Sequence, residues 1–470
     1  MGMAGVMTTV ERLRRFLREL TPQARALLIN EFERSMLRGD EVIGADLVLQ
    51  ELRAIVREQR EGAPRISNAA RLFFKPLEPF LVDDRPDHTH PGRVARASLE
   101  LLWTWVGRDL MPAAMPAFIE EVNKALLADD DARAEQLARA FQDRAVAAID
   151  IAFAAADETK TRRRLKAQIG TPRAEEDATA LKCVLKARDA LAAMAANLPL
   201  RIGNLSDDQL NECRSWTEAA AARRDGSFLY ALLLVRARLT APWQLIRFGV
   251  RAAGSDTAAR VAETPYGITV NIVLAELDRM VGELRNDLRS GQGVAVGASL
   301  KAIHDAARGL RTELDLPVDS TWGRALAAQR AQISELLRAE IESVPGRVRR
   351  LLRPRPSSEI RAQSAVDAEE VAEVEALVSF VGDCRYFAGE LAINEMTQRA
   401  FGDLQYFLDT NTRALLDGLR HAGAADLGFR QSQVDAAVRL CAKVFGKDYA
   451  ALLSKAAEVA ATADRKTARA

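Results

Sequence analysis

From Arg65 to Phe118 the chain reads RISNAARLFFKPLEPFLVDDRPDHTHPGRVARASLELLWTWVGRDLMPAAMPAF, and no single helix accommodates it. Prolines at 76, 79, 86 and 91 each remove a backbone donor and fix φ, and each biases the residue before it away from helical backbone. Residues 63–92 are therefore expected to run as an extended, Pro-rich segment across the faces of neighbouring helices. They lead into an apolar helix with Val94, Leu101, Leu102 and Trp105 on its inner side, ending before Pro112. Everything around this stretch is different. Ala, Leu, Arg and Glu dominate, all strong helix formers, and aromatics make up only 6% of the chain. Alternating Val/Ile/Thr with turn dipeptides is almost absent. The fold class read from this is all-α: an elongated multi-helix bundle of antiparallel helices, with a smaller C-terminal helical unit and a short N-terminal one.

At 470 residues the chain exceeds what one compact core supports. An apolar fraction of 48% beside a charged fraction of 28% excludes global disorder. The expected division is an N-terminal helical unit at 1–62, the extended segment at 63–92 and a main helical bundle at 93–343. An Arg/Pro-rich linker at 344–366 and a C-terminal helical unit at 367–470 complete it. Local signals set the helix starts: Thr21-Pro22, Thr171-Pro172 and Thr264-Pro265 each place a cap before a first-turn proline, and Ser206-Asp-Asp-Gln209 is a capping box. In the C-terminal unit, helices are expected at Asp367–Phe387, Leu391–Leu419 and Gln431–Ala461.

The formal net charge is +1, so no global field draws a polyanion, and the excess of Arg over Lys fits a GC-rich bacterial coding bias. Cys183, Cys213, Cys384 and Cys441 are scattered, which argues against a disulfide framework or structural zinc and for a reducing compartment. The N-terminus, MGMAGVMTTVERLRRF, has no apolar core followed by a cleavage site, and no window of about 18 residues is free of charge. A cytoplasmic protein, at most peripheral to a membrane, is expected.

Asp87, His88 and His90 are the candidate metal ligands. In extended backbone the i, i+2 spacing of the two histidines puts both rings on one side, yet nothing marks a further ligand, and a solvated turn is the favoured reading. Arg347, Arg349, Arg350, Arg353 and Arg355 form the densest basic cluster, a candidate anion- or partner-binding site for phosphates or anionic headgroups. No aromatics interleave it, so nucleic acid is the less favoured partner. Trp103, Trp105 and Trp243 are candidates for an interaction surface; Trp103 and Trp105 are two apart, so one faces a core and the other a groove or partner. The apolar stretch 227–253 fits a central helix pair better than a membrane interface. Gly291-x-Gly293 reads as a helix break, and His304 and Asp305 point to different helix faces and make no dyad.

No nucleophile elbow, HExxH or phosphate-binding motif is present, and no catalytic residue or cofactor is assigned. The expectation is a non-enzymatic helical scaffold or adaptor that engages another protein, with an anionic membrane surface as an accessory support. The alternatives are a metal- or small-ligand-binding protein using 83–90, and nucleic-acid binding through Arg347–Arg355.

Overall fold

The protein is represented by a computed structural model that describes residues 9–38, 40, 42, 44–58, 67–83, 90–203, 205–290, 293–360 and 364–467. Among these the fold is all-α, with 20 α-helices and one two-residue parallel ladder. The chain forms two compact units, one of residues 1–200 with 211–238 and one of 201–210 with 239–470. The cut thus falls near residues 200–239, not at the expected 344–366.

The first unit begins with α1 (Thr9–Glu19), α2 (Pro22–Arg38) and α3 (Ala45–Glu58). Leu17, Ile29, Leu49, Leu52 and Ile55 make a small core of their own. Arg25, itself buried, donates from Nη1 to the carbonyls of Leu17, Arg18 and Leu20 at 3.4, 3.2 and 2.6 Å, capping the end of α1. This trio docks on the rest of the unit through the buried Glu33 carboxylate, which takes Arg53 at 2.5 Å and Arg71 at 3.3 Å.

The expected extended segment is only partly extended. Asn68 accepts from the Arg71 amide at 2.8 Å and caps α4 (Ala69–Phe74), and a 3₁₀ stretch over Lys75–Phe80 follows. Pro76 and Pro79 are tolerated there because the tight turns are short and Pro76 sits at the first positions, where an N–H has no helical partner anyway. Leu81 then pairs with Val94 and Val82 with Ala95, as β1 and β2. Val94 is therefore in a strand, and the helix expected from it starts later, as α5 (Leu99–Trp105), running into a π-helical turn over Val106–Leu110. Gly92, at φ +68°, has to be glycine: a Cβ would meet Leu229 Cδ2 at 2.8 Å and Leu233 Cδ1 at 2.9 Å.

Then come α6 (Met115–Leu127), α7 (Asp131–Ala154), α8 (Thr159–Ile169), α9 (Ala174–Asn197), α10 (Asp207–Arg223) and α11 (Ser227–Arg238). On α7 the buried stripe is Ala134, Ala138, Phe141, Gln142, Ala145 and Ile149. Its small side chains let α4, α6 and α9 approach closely. Phe118 stacks on Phe141 at 4.0 Å between ring centroids, and Phe73 meets Phe74, Trp103 and Phe141 at 4.9, 5.4 and 5.8 Å. The aromatic residues of the interrupted segment thus assemble on the alanine-rich helix.

The second unit holds α12 (Gln244–Ala253), α13 (Ala258–Ala262), α14 (Ile268–Ser290), α15 (Gly293–Glu313), α16 (Thr321–Leu351), α17 (Ala368–Leu391), α18 (Asn394–Arg420), α19 (Leu427–Val444) and α20 (Lys447–Thr467). Val371, Val374, Val378, Val381, Cys384, Ala388 and Leu391 recur at three- and four-residue steps on α17 and are all buried. The single helix expected over 431–461 is two, parted at Gly446, whose φ is +95°.

The expected linker is instead ordered and packed over its described residues. Ile333, Leu337, Ile341, Val344, Val348 and Leu351 form one unbroken buried stripe that carries α16 through Pro345. Beyond it, Gln433 donates to the Arg353 carbonyl at 2.8 Å, Arg430 to the Arg355 carbonyl at 2.7 Å, and Ser357 to Asp426 at 2.6 Å. The apolar spacing beneath the arginines decides the structure here.

Candidate functional site

The residues singled out by the sequence are dispersed. Asp87 and His88 lie outside the described residues. His90 is buried, and its carbonyl accepts from the Arg93 amide at 3.2 Å. Asp83 is held at 3.1 Å by Arg96, which also takes Glu78 at 3.2 Å. Among the described residues no group of three His, Cys, Asp or Glu is placed to hold a metal ion.

In the arginine cluster, Arg347 pairs with Glu373, while Arg349 lies over the Phe407 ring at 5.9 Å and Arg355 over Phe429 at 5.1 Å. Arg350 and Arg353 are exposed. Three of the five guanidinium groups are thus engaged locally. Among the described residues no helix is long and apolar enough to cross a membrane. Trp243 packs on α15, where a Cβ on Gly309 would lie 2.6–2.7 Å from its side chain. His304 and Asp305 do meet, with Nδ1 3.1 Å from Oδ1, and the ring also packs on Phe387 at 5.0 Å. The four thiols are free and buried, and burial pushes Cys213 up to about 11 and Cys441 up to about 12, which keeps them protonated and unreactive.

Trp103 and Trp105 differ in burial, and Trp103 also packs on Phe73, Phe74 and Phe118. Trp105 is fully buried, and Trp103 lines a depression of about 360 Å³ together with Met36, Arg53 and Arg71. Two further depressions adjoin it within the first unit. The second, of about 360 Å³, shares Leu37 and Ser67 with the first. The third, of about 260 Å³, shares Leu72, Lys75 and Glu135 with the second. Shared lining residues place the three depressions side by side along α4, the 3₁₀ stretch, α7 and α9.

The α7–α9 end of this groove is the most apolar. Leu72, Pro76, Pro79, Phe80, Leu191 and Leu234 line it, and Ala138, Ala192 and Ala195 keep it open by their small size. Two exposed ion pairs border it, Lys75–Glu135 at 2.6 Å and Arg139–Asp189 at 2.7 Å. The Lys75 ammonium holds the Glu135 carboxyl below its ordinary range. Two polar side chains also reach this end. Gln142 donates from Nε2 to the carbonyls of Leu72 and Phe73 at 3.2 and 2.9 Å, and Arg188 donates from Nη1 to Asp143 and to the Leu185 carbonyl at 2.7 and 2.9 Å. Gln142 Oε1 and Arg188 Nε, both inaccessible to solvent, have no hydrogen-bond partner.

Known protein families, curated proteins and solved structures give no match to this chain.

Sequence reading missed Gln142 and Arg188. A signal for Gln142 exists: it stands four residues after Ala138 and three before Ala145, a polar residue set into an apolar stripe. Arg188 carries no such mark, because its role depends on the crossing of α7 and α9.

Proposed function

We propose that this protein is a non-enzymatic helical adaptor, and that the groove across α4, α7 and α9 receives an extended segment of a partner polypeptide. The observation that carries the reading is the groove itself: three depressions joined through shared lining residues, on helices that are fixed by an aromatic and alanine-rich core. The 260 Å³ end lies below the roughly 300–1,000 Å³ of pockets that enclose a whole small ligand. It suits one or two apolar side chains of a longer chain. A run of depressions that is apolar at the α7–α9 end and lined by charged side chains at its middle matches a strand-like segment with apolar and polar side chains along it.

The test is selection of peptides from a random library on the full-length protein, followed by binding measured by fluorescence anisotropy. Ala192→Phe, which fills the apolar end, is expected to weaken the selected peptides by roughly tenfold or more. Tyr406→Ser, at an exposed position of the second unit, is expected to leave them unchanged. Failure to select any peptide, or selection only of peptides indifferent to Ala192→Phe, overturns the reading.

A further inference from the structure

A separate depression of about 500 Å³ lies in the first unit, where α8, α9 and α11 meet the turn at Pro91-Gly92. It shares no lining residue with the three depressions of the groove. Its volume falls within the roughly 300–1,000 Å³ of sites that enclose a small molecule. Phe153, Leu165, Ala180, Leu229 and Tyr230 give it apolar surface, and charges of both signs line it as well. Arg162 holds Glu175 through Nε alone, at 2.5 Å, which leaves its two terminal nitrogens as a free fork. Lys166 takes the other oxygen of Glu175 at 3.3 Å, so that carboxylate is already neutralised. Arg173 donates from Nη1 to the His90 carbonyl at 3.5 Å. Glu176, the next residue on α9, has no ion pair or hydrogen bond among the described residues. Arg162 and Glu176 are both exposed, so an entering molecule reaches them. Tyr230 adds a hydroxyl. Its ring is only 3% exposed and packs edge-on against Phe80 at 5.0 Å, yet the hydroxyl has no partner and is not closed off from solvent. Burial pushes the phenol well above its ordinary value, so it stays protonated and donates.

We infer that this depression binds a free α-amino acid with a large apolar side chain. The inference does not depend on the polypeptide reading of the groove. The ligand carboxylate takes the free fork of Arg162, whose planar donors match two oxygens at once. The ligand ammonium goes to Glu176. Glu176 follows directly on the residue that Arg162 grips, about 3.8 Å away between Cα atoms, which suits charges held on one carbon of the ligand. The side chain is received by Phe153, Leu165 and Leu229. Other classes leave part of the lining unserved. A fatty acid or phosphate sets an anion beside Glu176, and an alkylamine leaves the Arg162 fork empty. A sugar sets hydroxyls against the apolar surface. A zwitterion with an apolar side chain meets all three demands.

The experiment is isothermal titration of the full-length protein with L-leucine, L-phenylalanine, glycine, N-acetyl-L-phenylalanine and L-phenylalaninamide. Leucine or phenylalanine is expected to bind with a Kd below about 1 mM. Glycine, which lacks the apolar side chain, and the two blocked derivatives, each lacking one charge, are expected to bind roughly tenfold or more weakly. Glu176→Gln should abolish the preference for a free ammonium, so that phenylalanine and its N-acetyl derivative bind within about twofold of each other. Arg162→Gln should likewise abolish the preference for phenylalanine over its amide. Both positions are exposed, so neither substitution removes core packing. If neither amino acid binds the wild-type protein at about 10 mM, or if the blocked derivatives bind it within about twofold of phenylalanine, the inference fails. These two outcomes need no variant. If both preferences persist in Glu176→Gln and Arg162→Gln, the amino acid binds elsewhere and the assignment to this depression is overturned.

Discussion

Arg188 on α9 reaches Asp143 on α7 at 2.7 Å, and the ion pair closes the gap between the two helices beside the groove. The arginine side chain is largely buried while the carboxylate is largely exposed, so the bond does more to orient the guanidinium than to stabilise the fold. Asp143→Asn keeps an acceptor oxygen without the charge. It is expected to lower stability by less than about 1 kcal/mol in urea unfolding, whereas Arg188→Ala, which also removes buried methylenes, is expected to cost roughly 1–3 kcal/mol. Equal losses from the two substitutions would contradict this division.

Gln142 supports the end of α4 through the carbonyls of Leu72 and Phe73. Gln142→Leu removes one donor from each carbonyl, leaving Leu72 with the Lys75 amide, and is expected to destabilise the protein by about 1–3 kcal/mol. The loss should be local. Hydrogen–deuterium exchange is expected to speed up over residues 69–80 and to stay unchanged in α17 to α20. Faster exchange throughout the protein would contradict a local role for Gln142.

Much of the architecture is written in local signals. The capping box at Ser206 forms as its spacing implies, with Gln209 accepting from the Ser206 amide at 3.2 Å and its own amide donating to Ser206 Oγ at 3.3 Å. The helix after Thr21-Pro22 ends at Arg38, before the glycine that marks its stop. These features need only a few neighbouring residues. The groove needs long-range ones: Gln142 meets carbonyls about 70 positions earlier in the chain, and Arg188 meets Asp143 across 45. No periodicity encodes which helix lies beside which. The 344–366 segment differs for another reason: the apolar stripe from Ile333 to Leu351 keeps helical spacing beneath a surface of arginines, so one stretch of sequence carries both a solvated face and a buried one. Trp103 lies between the two cases, since its spacing from Trp105 implies a different helix face but not that this face packs on Phe73, Phe74 and Phe118.

Trp243 and Gly309 meet so closely that a Cβ on the glycine would fall 2.6 Å from both Cγ and Cδ2 of the indole. Gly309→Ala is expected to displace the ring and cost roughly 1–3 kcal/mol, more than the gain in helix propensity returns. Trp243→Gly, which removes Cβ, Cγ and Cδ2 together, should remove most of that penalty, so that Gly309→Ala becomes nearly neutral in the Trp243→Gly background. Additive losses in this double-mutant cycle, read by thermal unfolding, would show that the contact is not the cause.

Asp177 supplies a stability dependence on pH whose sign follows from its burial. It lies in the first turns of α9, almost wholly enclosed, with Oδ2 lacking a hydrogen-bond partner. Burial pushes its carboxyl above the ordinary range; the Thr171 and Ser98 hydroxyls and the Arg173 charge pull the other way, and Glu176 adds to the rise. A carboxyl whose folded value lies above its unfolded one binds protons more tightly when folded. Its penalty is therefore absent below the unfolded value, near pH 3.9, and grows as pH rises through the window up to the folded value. Asp177→Asn removes the titration while keeping the shape. It is expected to raise the unfolding midpoint at neutral pH, with the advantage shrinking as the pH is lowered through that window and vanishing below it. If the variant melts lower than wild type at neutral pH, the ionised carboxylate is a stabilising partner of Arg173, Ser98 and Thr171 rather than a buried cost.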